Sequence, residues 1–340
     1  MTATGVAAPA ARDRSSEKDA LRRIQGSVRE RLDEVTDEMA SSVLRDAPLL
    51  AQMGQHLMAM RGKMFRPTLV LLCSSLEDRS EKQAVTLAAA VELIHLATLV
   101  HDDAVDHSVL RRGMPTLNSL FTHQISVIMG DFLYSIALTK LVNLGDIEAL
   151  RALTRASTEM TIGEMRQLSV NDSLSFSEDD YYALIRSKTA SLMSAACEVG
   201  ALAGARQHRD SLIRYGDALG MAFQIADDLI DYTEAQETTG KPTGLDLKEH
   251  KVTLPLIAAL RVMTPDERAK VDALFANENP GDAEVADVIA IVTANGGLDY
   301  ARERGAIFAN EAREALAGLP ETVARQALLE SISYVMERHA

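Results

Sequence analysis

Residues 91–109 read VELIHLATLVHDDAVDHSV, an apolar run that ends in three closely spaced aspartates. A second apolar run, GMAFQIA at residues 220–226, leads into the similar cluster DDLID at residues 227–231. On a helix, residues i and i+4 share one face, so the first and third aspartates of each cluster point together. Both segments therefore predict long helices that end in converging carboxylates.

A single DDxxD cluster at the end of an apolar helix is more often a solvated helix end than a functional site. The helix macrodipole disfavours negative charge at a C-terminus, however, so two such clusters need a physical reason. Closely packed carboxylates repel one another unless cations neutralise them. Hard divalent cations are the natural partners, and Mg2+ is commonly held by one or two carboxylates together with substrate phosphates. Two copies of the cluster therefore favour a magnesium-dependent phosphate site.

The composition of the chain favours helices over strands. Among its 340 residues 47% are hydrophobic but only 4% are aromatic, and there is no Trp. Strands prefer β-branched and aromatic residues, and the aromatic residues are scarce here. The formal net charge of −14 argues against binding to the phosphate backbone of nucleic acids. Cys73 and Cys197 lie in apolar stretches and are predicted to be buried, reduced thiols.

Hydrophobic periodicity predicts an all-α fold, a large single-domain helical bundle of ten or more helices with a smaller C-terminal lobe. We expect a disordered tail over residues 1–16 and the helical domain over residues 17–340. The most apolar segment, Val85–Val100, carries Glu92 and His95, so we interpret it as a buried helix rather than a membrane span. A cytoplasmic protein is expected. The predicted helices cover residues 17–45, 49–59, 64–77, 81–107, 115–142, 145–171, 177–204, 207–233, 253–262, 265–276, 282–293, 296–317 and 319–338.

Basic residues lie near both aspartate clusters in the sequence. Arginine forks and lysine point charges are the usual ligands of diphosphates. Taken singly, each of these cations would be an ordinary solvated surface group. Their arrangement around two predicted metal sites is what favours binding. They are Lys63 and Arg66 in GKMFRP, Arg111 and Arg112 after the first cluster, Lys188, and Lys241 and Lys251 after the second cluster.

Several ordered motifs make the chain resemble the trans-isoprenyl diphosphate synthases, also called polyprenyl synthetases, of the long-chain type. The resemblance runs from about Gly62 to Leu260. It implies an isoprenoid-synthase bundle of helices around a central cavity. The motifs are GKMFRP, HLATLVHDDAVDHSVLRRG, GDFLYS, SKTASL, FQIADDLIDY and GKPTGLDLKEHKVTLPL.

The resemblance implies a prenyltransferase that adds isopentenyl diphosphate units to an allylic prenyl diphosphate. Three Mg2+ ions are expected per active site, with Mn2+ able to substitute, held by Asp102, Asp103, Asp106, Asp227, Asp228 and Asp231. The allylic diphosphate would contact Arg111, Lys188 and Lys251, with Lys241 close by. Isopentenyl diphosphate would contact Lys63, Arg66, His95 and Arg112. Thr189 and Gln224 would flank the reacting carbons and, with Lys188, assist the chemical step.

Product length is expected to depend on the helix face that leads up to the first cluster. In the family, a bulky aromatic residue just before the cluster stops chain growth early. Here the corresponding positions are Ala97 and Thr98, so we predict an open tunnel with Phe132 as its floor. A long product in the heptaprenyl to decaprenyl range, suited to quinone side chains, follows from this interpretation.

The sequence is compatible with four other functions. They are a shorter-chain geranylgeranyl or farnesyl diphosphate synthase, a class I terpene cyclase, a non-catalytic subunit of a heteromeric synthase, and a metal-binding scaffold without a reaction. Retention of all six aspartates disfavours the non-catalytic subunit. The family also implies a homodimer packed through residues 115–142, and at most peripheral contact with a membrane.

Overall fold

A computed structural model describes residues 14–43, 48–60, 62–77, 83–111, 113–169, 173–233 and 243–337 of the chain. Most of the predicted N-terminal tail lies outside these residues, and its last positions, from Arg14, already belong to the first helix. Arg112 and Lys241, two of the predicted diphosphate ligands, also lie outside the described residues.

The described residues form a helical bundle with one short hairpin. The helices are α1 Arg14–Gln25, α2 Arg29–Val43, α3 Pro48–Ala59, α4 Phe65–Ser74, α5 Gln83–Val105, α6 Leu117–Leu120, α7 His123–Leu144, α8 Ile147–Leu168, α9 Glu178–Ile185, α10 Ser191–Gly204, α11 Arg209–Thr233, α12 Leu245–Lys248, α13 Leu254–Leu260, α14 Pro265–Ala276, α15 Asp282–Ala294, α16 Gly297–Leu316 and α17 Val323–Glu337. Strands β1, Leu110–Arg111, and β2, Met114–Pro115, pair antiparallel between α5 and α6. Short 3-10 turns cover Gly26–Val28, Ser173–Ser175 and Arg206–His208.

The all-α prediction is confirmed, with three local corrections. The predicted helix over 17–45 is interrupted at Gly26–Val28, because glycine adds no helix-favouring side chain at this point. The predicted helix over 115–142 is divided: Pro115 belongs to strand β2, α6 covers only Leu117–Leu120, and α7 begins at His123 because Phe121 and Thr122 have extended backbone. The predicted helix over 177–204 is not uniform, because a π-helical turn at Arg186–Ala190 separates α9 from α10. This segment, which carries Lys188 and Thr189, is called the π turn below.

The centre of the bundle is built from α4, α5, α10 and α11. Helix α5 packs mainly against α7, while α10 lies against α4, α8 and α11. Small residues permit these close contacts: a Cβ added at Gly200 of α10 would stand 2.5 Å from the carbonyl oxygen of Val70 in α4. Cys73 and Cys197 are fully buried at the same crossing, as predicted, and burial raises the pKa of the Cys73 thiol.

Two helices are long and apolar enough to cross a membrane by length and composition, which the sequence interpretation did not anticipate. They are α5 and α7, and the most apolar window of α5 is 67% buried inside the protein. The corresponding window of α7 is only 39% buried. The mostly buried α5 is a core helix of the bundle. Helix α7 instead presents an apolar surface outward.

Candidate active site

The first aspartate cluster lies at the C-terminal end of α5, where the hairpin folds back over it. Asp103 is 5% exposed and accepts hydrogen bonds from Arg111 of β1, with Arg111 Nε 2.8 Å from Oδ1 and 3.0 Å from Oδ2. Asp106 follows the helix and is exposed. Arg111 is therefore paired with Asp103 of the cluster, whereas the family resemblance predicted that it binds a diphosphate.

Asp102 lies beside Lys188, which comes from the π turn. Burial raises the pKa of Asp102 to about 6, while the charge of Lys188 acts in the opposite direction and that of Glu164 raises it further. The Lys188 Nζ is 2.6 Å from Glu164 Oε2 and 3.0 Å from Gln167 Oε1, both on α8. Glu164 and Gln167 were missed in the sequence because nothing in their spacing distinguishes them from ordinary polar residues of an amphipathic helix.

The second cluster lies on α11, and its three carboxylates have different surroundings. Asp227 is exposed, whereas Asp228 is only 5% exposed. Asp231 accepts hydrogen bonds from the backbone N–H groups of Leu245 at 3.1 Å and Asp246 at 3.0 Å. These donors begin α12, so Asp231 holds the start of the segment that leads to Lys251.

A chain of hydrogen bonds joins the second cluster to the π turn. Tyr181 donates from its hydroxyl to Asp228 Oδ2 at 2.6 Å, and Gln224 Nε2 donates to Asp228 Oδ1 at 2.8 Å. The Thr189 hydroxyl donates in turn to Gln224 Oε1 at 2.7 Å. The two residues predicted to flank the reacting carbons are thus in direct contact. Burial raises the pKa of Asp228 well above its ordinary value, and the neighbouring charge of Asp246 raises it further.

Asp246 is a fourth acidic residue at the second cluster that the sequence analysis did not single out. Burial raises its pKa to about 7, and the charges of Asp231 and Asp227 contribute in the same direction. It follows Gly244, whose φ of +73° allows the sharp entry into α12. Its signal was present in the motif GKPTGLDLKEHKVTLPL, where only the lysines had been assigned roles.

Lys251 lies within electrostatic range of both clusters. Burial would lower its pKa, but the hydrogen bond to Glu249 and the charges of Glu249, Asp246 and Asp106 together raise it. Asp106 belongs to the first cluster, and Asp246 adjoins Asp231 of the second. The structure therefore brings the end of α5, the end of α11 and the loop at Lys251 to one region.

Three of the predicted ligands of isopentenyl diphosphate lie within the described residues, where Arg66 and His95 contact each other and Lys63 contacts other residues. Arg66 Nη1 lies 3.0 Å from His95 Nε2. The exposed Lys63 Nζ contacts Glu17 of α1 and lies 5.6 Å above the ring of Tyr334 in α17. Cationic side chains are thus available here, and Lys63 also has protein partners.

Strained backbone marks the same region. Among the described residues, the non-glycine residues with positive φ are Met64 at 53°, His107 at 51° and His250 at 55°. Side chains other than glycine rarely adopt this conformation, and such residues often cluster at functional sites. They adjoin Lys63, Asp106 and Lys251 respectively, three of the predicted site residues.

Two of the predicted chain-length residues, Ala97 and Thr98, lie on a different face of α5 from the residues that line a recess in the described structure, and the third, Phe132, belongs to α7. Ala97 is 2% exposed, Thr98 donates to the backbone oxygen of His95, and Phe132 is partly buried against the core. The recess, about 510 Å³ including its open mouth, is lined by Met39, Leu57, Met58, Met60, Gly62, Glu92, His95, Leu96, Leu99, Val100, Asp103 and Arg111. The tunnel along Ala97 and Thr98 therefore stays a prediction.

The carboxylate donors suit Mg2+ chemically but are spread around the site. Within the described part of the chain, no group of three or more His, Cys, Asp or Glu side chains is gathered closely enough to hold a metal ion. All six predicted ligands are carboxylates, the hard oxygen donors that Mg2+ prefers, and Mg2+ usually takes its remaining ligands from water and substrate phosphates. Asp106 and Asp227 are exposed and can reach such ligands.

Comparisons with known proteins agree on one family. Residues 47–292 match the sequence profile of the family described as polyprenyl synthetase. The all-trans-nonaprenyl-diphosphate synthase (geranyl-diphosphate specific) of Rhodobacter capsulatus is 39% identical over 292 residues, 85% of this chain and 89% of that protein. The octaprenyl diphosphate synthase of Escherichia coli is 37% identical over 296 residues, 86% of this chain and 91% of that protein.

Solved structures share the fold. The polyprenyl synthase of Caulobacter crescentus, crystallised with calcium and isoprenyl diphosphate, is 34% identical and superposes with a TM-score of 0.89. The similarity covers 94% of this chain and 98% of that one.

Proposed function

Because the chain belongs to the polyprenyl synthetase family, we propose that it is a trans-prenyltransferase that elongates an allylic diphosphate with isopentenyl diphosphate to a long-chain product. The product is in the heptaprenyl to decaprenyl range, as in the relatives named nonaprenyl and octaprenyl diphosphate synthases. Geranylgeranyl and farnesyl diphosphates are the shorter-chain alternative.

The observation that best supports this function is that Lys251 interacts with acidic residues at both aspartate clusters. Its charge interacts with Asp106 of the first cluster and with Asp246, which adjoins Asp231 of the second. A lysine near both clusters is suited to bind a diphosphate that bridges them. A protein with two unrelated solvated helix ends would have no reason to bring these groups together.

The cations and carboxylates of the site have complementary roles in the proposed reaction. Lys188, Lys251 and Arg111 bind the allylic diphosphate, while Lys63, Arg66 and His95 bind isopentenyl diphosphate. The carbon–oxygen bond of the allylic substrate breaks, and the diphosphate leaves with the bonding electrons. The double bond of isopentenyl diphosphate attacks the resulting cation, and loss of a proton forms a new double bond.

Mg2+ fits the donor set and would be held by Asp102, Asp103 and Asp106 together with Asp227, Asp228 and Asp231. When bound, it neutralises the charge that develops on the leaving diphosphate. We propose three ions per active site. The expected proton acceptor is the departing diphosphate, because the Thr189 hydroxyl and the Gln224 amide are not bases and both oxygens of the neighbouring Asp228 already accept hydrogen bonds.

Exclusion of water is the remaining requirement, because water would capture the allylic cation. Thr189 is only 8% exposed and Ala190 is fully buried, so little water reaches these two residues of the π turn beside the predicted reaction centre. The oxygens of Thr189 and Gln224 stabilise positive charge in the substrate without acting as nucleophiles, because each is already engaged in a hydrogen bond.

We further propose a cytoplasmic homodimer that packs through α6 and α7, with at most peripheral membrane contact for release of long products. Support comes from the outward apolar face of α7, where Ile128 is 64% exposed and Val142 is 63% exposed.

Incubation of the purified protein with isopentenyl diphosphate, farnesyl diphosphate and Mg2+ tests the proposal, with products separated by chromatography. We expect a ladder that ends at a long prenyl diphosphate and disappears on chelation of Mg2+. Cyclic products would indicate a terpene cyclase. No product from the protein alone, but activity after addition of a second subunit, would indicate a heteromeric synthase.

A further inference from the structure

Tyr181 is a buried tyrosine that points from α9 to the second aspartate cluster. It is 2% exposed, and its hydroxyl donates to Asp228 Oδ2 at 2.6 Å. Its helix is fixed at the N-terminus by a capping box between Ser177 and Asp180. Glu178, also on α9, accepts hydrogen bonds from Tyr300 at 2.9 Å. Tyr181 is therefore presented to Asp228 by a well-anchored element.

The contact between Tyr181 and Asp228 determines which way the next side chain points. Asp228 Oδ1 accepts from the amide nitrogen of Gln224 at 2.8 Å, and the amide oxygen of Gln224 accepts from Thr189 at 2.7 Å. The opposite orientation would place the amide oxygen against a carboxylate and the amide N–H groups toward Thr189. Both oxygens of Asp228 are engaged, one by Tyr181 and one by Gln224, so this orientation is held from both sides.

We propose that Tyr181 is a positioning residue for prenyl transfer, which holds Asp228 and thereby keeps the oxygens of Gln224 and Thr189 turned toward the reacting carbons. This inference rests on the proposed prenyltransferase function. Oxygen dipoles that are already oriented stabilise an allylic cation without reorganisation at the moment of reaction. An amide that can rotate would present N–H groups part of the time, and these would destabilise the same cation.

Of the six proposed Mg2+ ligands, Tyr181 hydrogen-bonds to Asp228, and within the described residues it contacts none of the cations assigned to the two diphosphates. Tyr181→Phe removes a hydrogen-bond donor but leaves all six carboxylates and all of those cations in place. Its loss should therefore lower kcat while leaving the KM values and the affinity for Mg2+ nearly unchanged.

The matched comparison is Tyr181→Phe against Tyr215→Phe. Tyr215 is also fully buried and donates one hydrogen bond, to the backbone oxygen of Leu328 at 2.9 Å, away from the site. We expect kcat to fall roughly tenfold in Tyr181→Phe, as for loss of a hydrogen bond to a charged group, with no comparable fall in Tyr215→Phe. Calorimetric titration of Mg2+, with a non-hydrolysable thiolo analogue of the allylic diphosphate, should give affinities within twofold of the wild type for both variants.

A double-mutant cycle of Tyr181→Phe with Thr189→Val provides the second readout. Residues that act through one hydrogen-bonded chain have non-additive effects, so we expect the double variant to lose little more activity than Thr189→Val alone. Full additivity, or equal kcat losses in Tyr181→Phe and Tyr215→Phe, would overturn the proposal. Loss of Mg2+ affinity in Tyr181→Phe would overturn it as well. Wild-type protein that forms no prenyl product would instead reject the proposed function itself.

Discussion

Six aspartates carry the proposed site, yet single residues within this set differ sharply in their surroundings. Asp106 and Asp227 are exposed, Asp103 is paired with Arg111, and Asp228 and Asp231 accept hydrogen bonds from neighbouring protein groups. The sequence predicted which residue types meet, because the spacing of each cluster sets its helix face. It could not predict the partners, since Tyr181 lies 47 residues from Asp228 in sequence and carries no local signal.

Asp102→Ala should lower turnover by on the order of a hundredfold or more. It removes one of the carboxylates proposed to hold Mg2+, which would neutralise the charge on the leaving diphosphate. The unfolding midpoint in urea should change little, since burial already makes the charged form of Asp102 unfavourable. Asp299→Ala is the control, because Asp299 is an exposed carboxylate paired with Arg302 on α16. A near-normal rate in Asp102→Ala would contradict the proposed role of the first cluster.

Ala97→Tyr should shorten the product by several isoprene units, because a large ring would fill the predicted tunnel beside the first cluster. Chromatography of the product ladder measures the effect, and Ala97→Ser, which barely changes volume, should leave the ladder unaltered. If Ala97→Tyr folds and gives the normal ladder, the growing chain does not pass this face of α5. The recess along Leu96 and Leu99 then becomes the better candidate for the tunnel.

Among whole elements, the π turn does most to arrange the site. It lies between two glycines on neighbouring helices: a Cβ at Gly163 of α8 would stand 3.0 Å from Ser187 Cβ, and one at Gly220 of α11 would stand 2.5 Å from Ala190 Cα. This close approach sets where Lys188 and Thr189 lie relative to both clusters. The apolar periodicity of residues 177–204 predicted one continuous helix. It could not predict the π-helical turn, because such a turn depends on contacts with other helices rather than on local propensity.

Gly220→Ala should destabilise the protein by about 1–3 kcal/mol through overpacking, and lower kcat as well, because the π turn must move away from α11. Urea unfolding and steady-state kinetics measure the two effects. The matched control is Gly26→Ala, since a Cβ at Gly26 meets no atom within 4 Å. Equal behaviour of the two variants would show that the close approach does not position the turn.

At the level of the whole molecule, one bundle brings together segments that are far apart in the chain. The fold class and most helix positions could be predicted, since hydrophobic periodicity reports burial of each segment independently. The hairpin at Leu110–Pro115 and the position of Asp246 could not, because both depend on how loops return to helix ends. The family resemblance implied a homodimer packed through residues 115–142, but the outward apolar face of α7 itself was not predicted.

Ile128→Asp should convert the proposed dimer into monomers, because it places a charge on the apolar face of α7. Sedimentation velocity measures the change in mass. Val323→Asp is the control, since Val323 is 72% exposed at the start of α17 and lies outside α6 and α7. A dimer that persists in Ile128→Asp would exclude this face of α7 as its interface.

Lys63 contacts both the first and the last of the described helices, α1 and α17. Glu17 of α1 pairs with Lys63 and also accepts a hydrogen bond from Tyr334 of α17 at 3.2 Å, so the first and last described helices meet at Lys63, a proposed ligand of isopentenyl diphosphate. A diphosphate that recruits this ammonium group must compete with Glu17, and by reciprocity the docked α1 weakens the binding of that ligand. Saturation with isopentenyl diphosphate should therefore speed amide hydrogen exchange along α1. The contact of α1 with Lys63 and α17 through Glu17 would then be broken each time isopentenyl diphosphate binds, once for every five-carbon unit that is added.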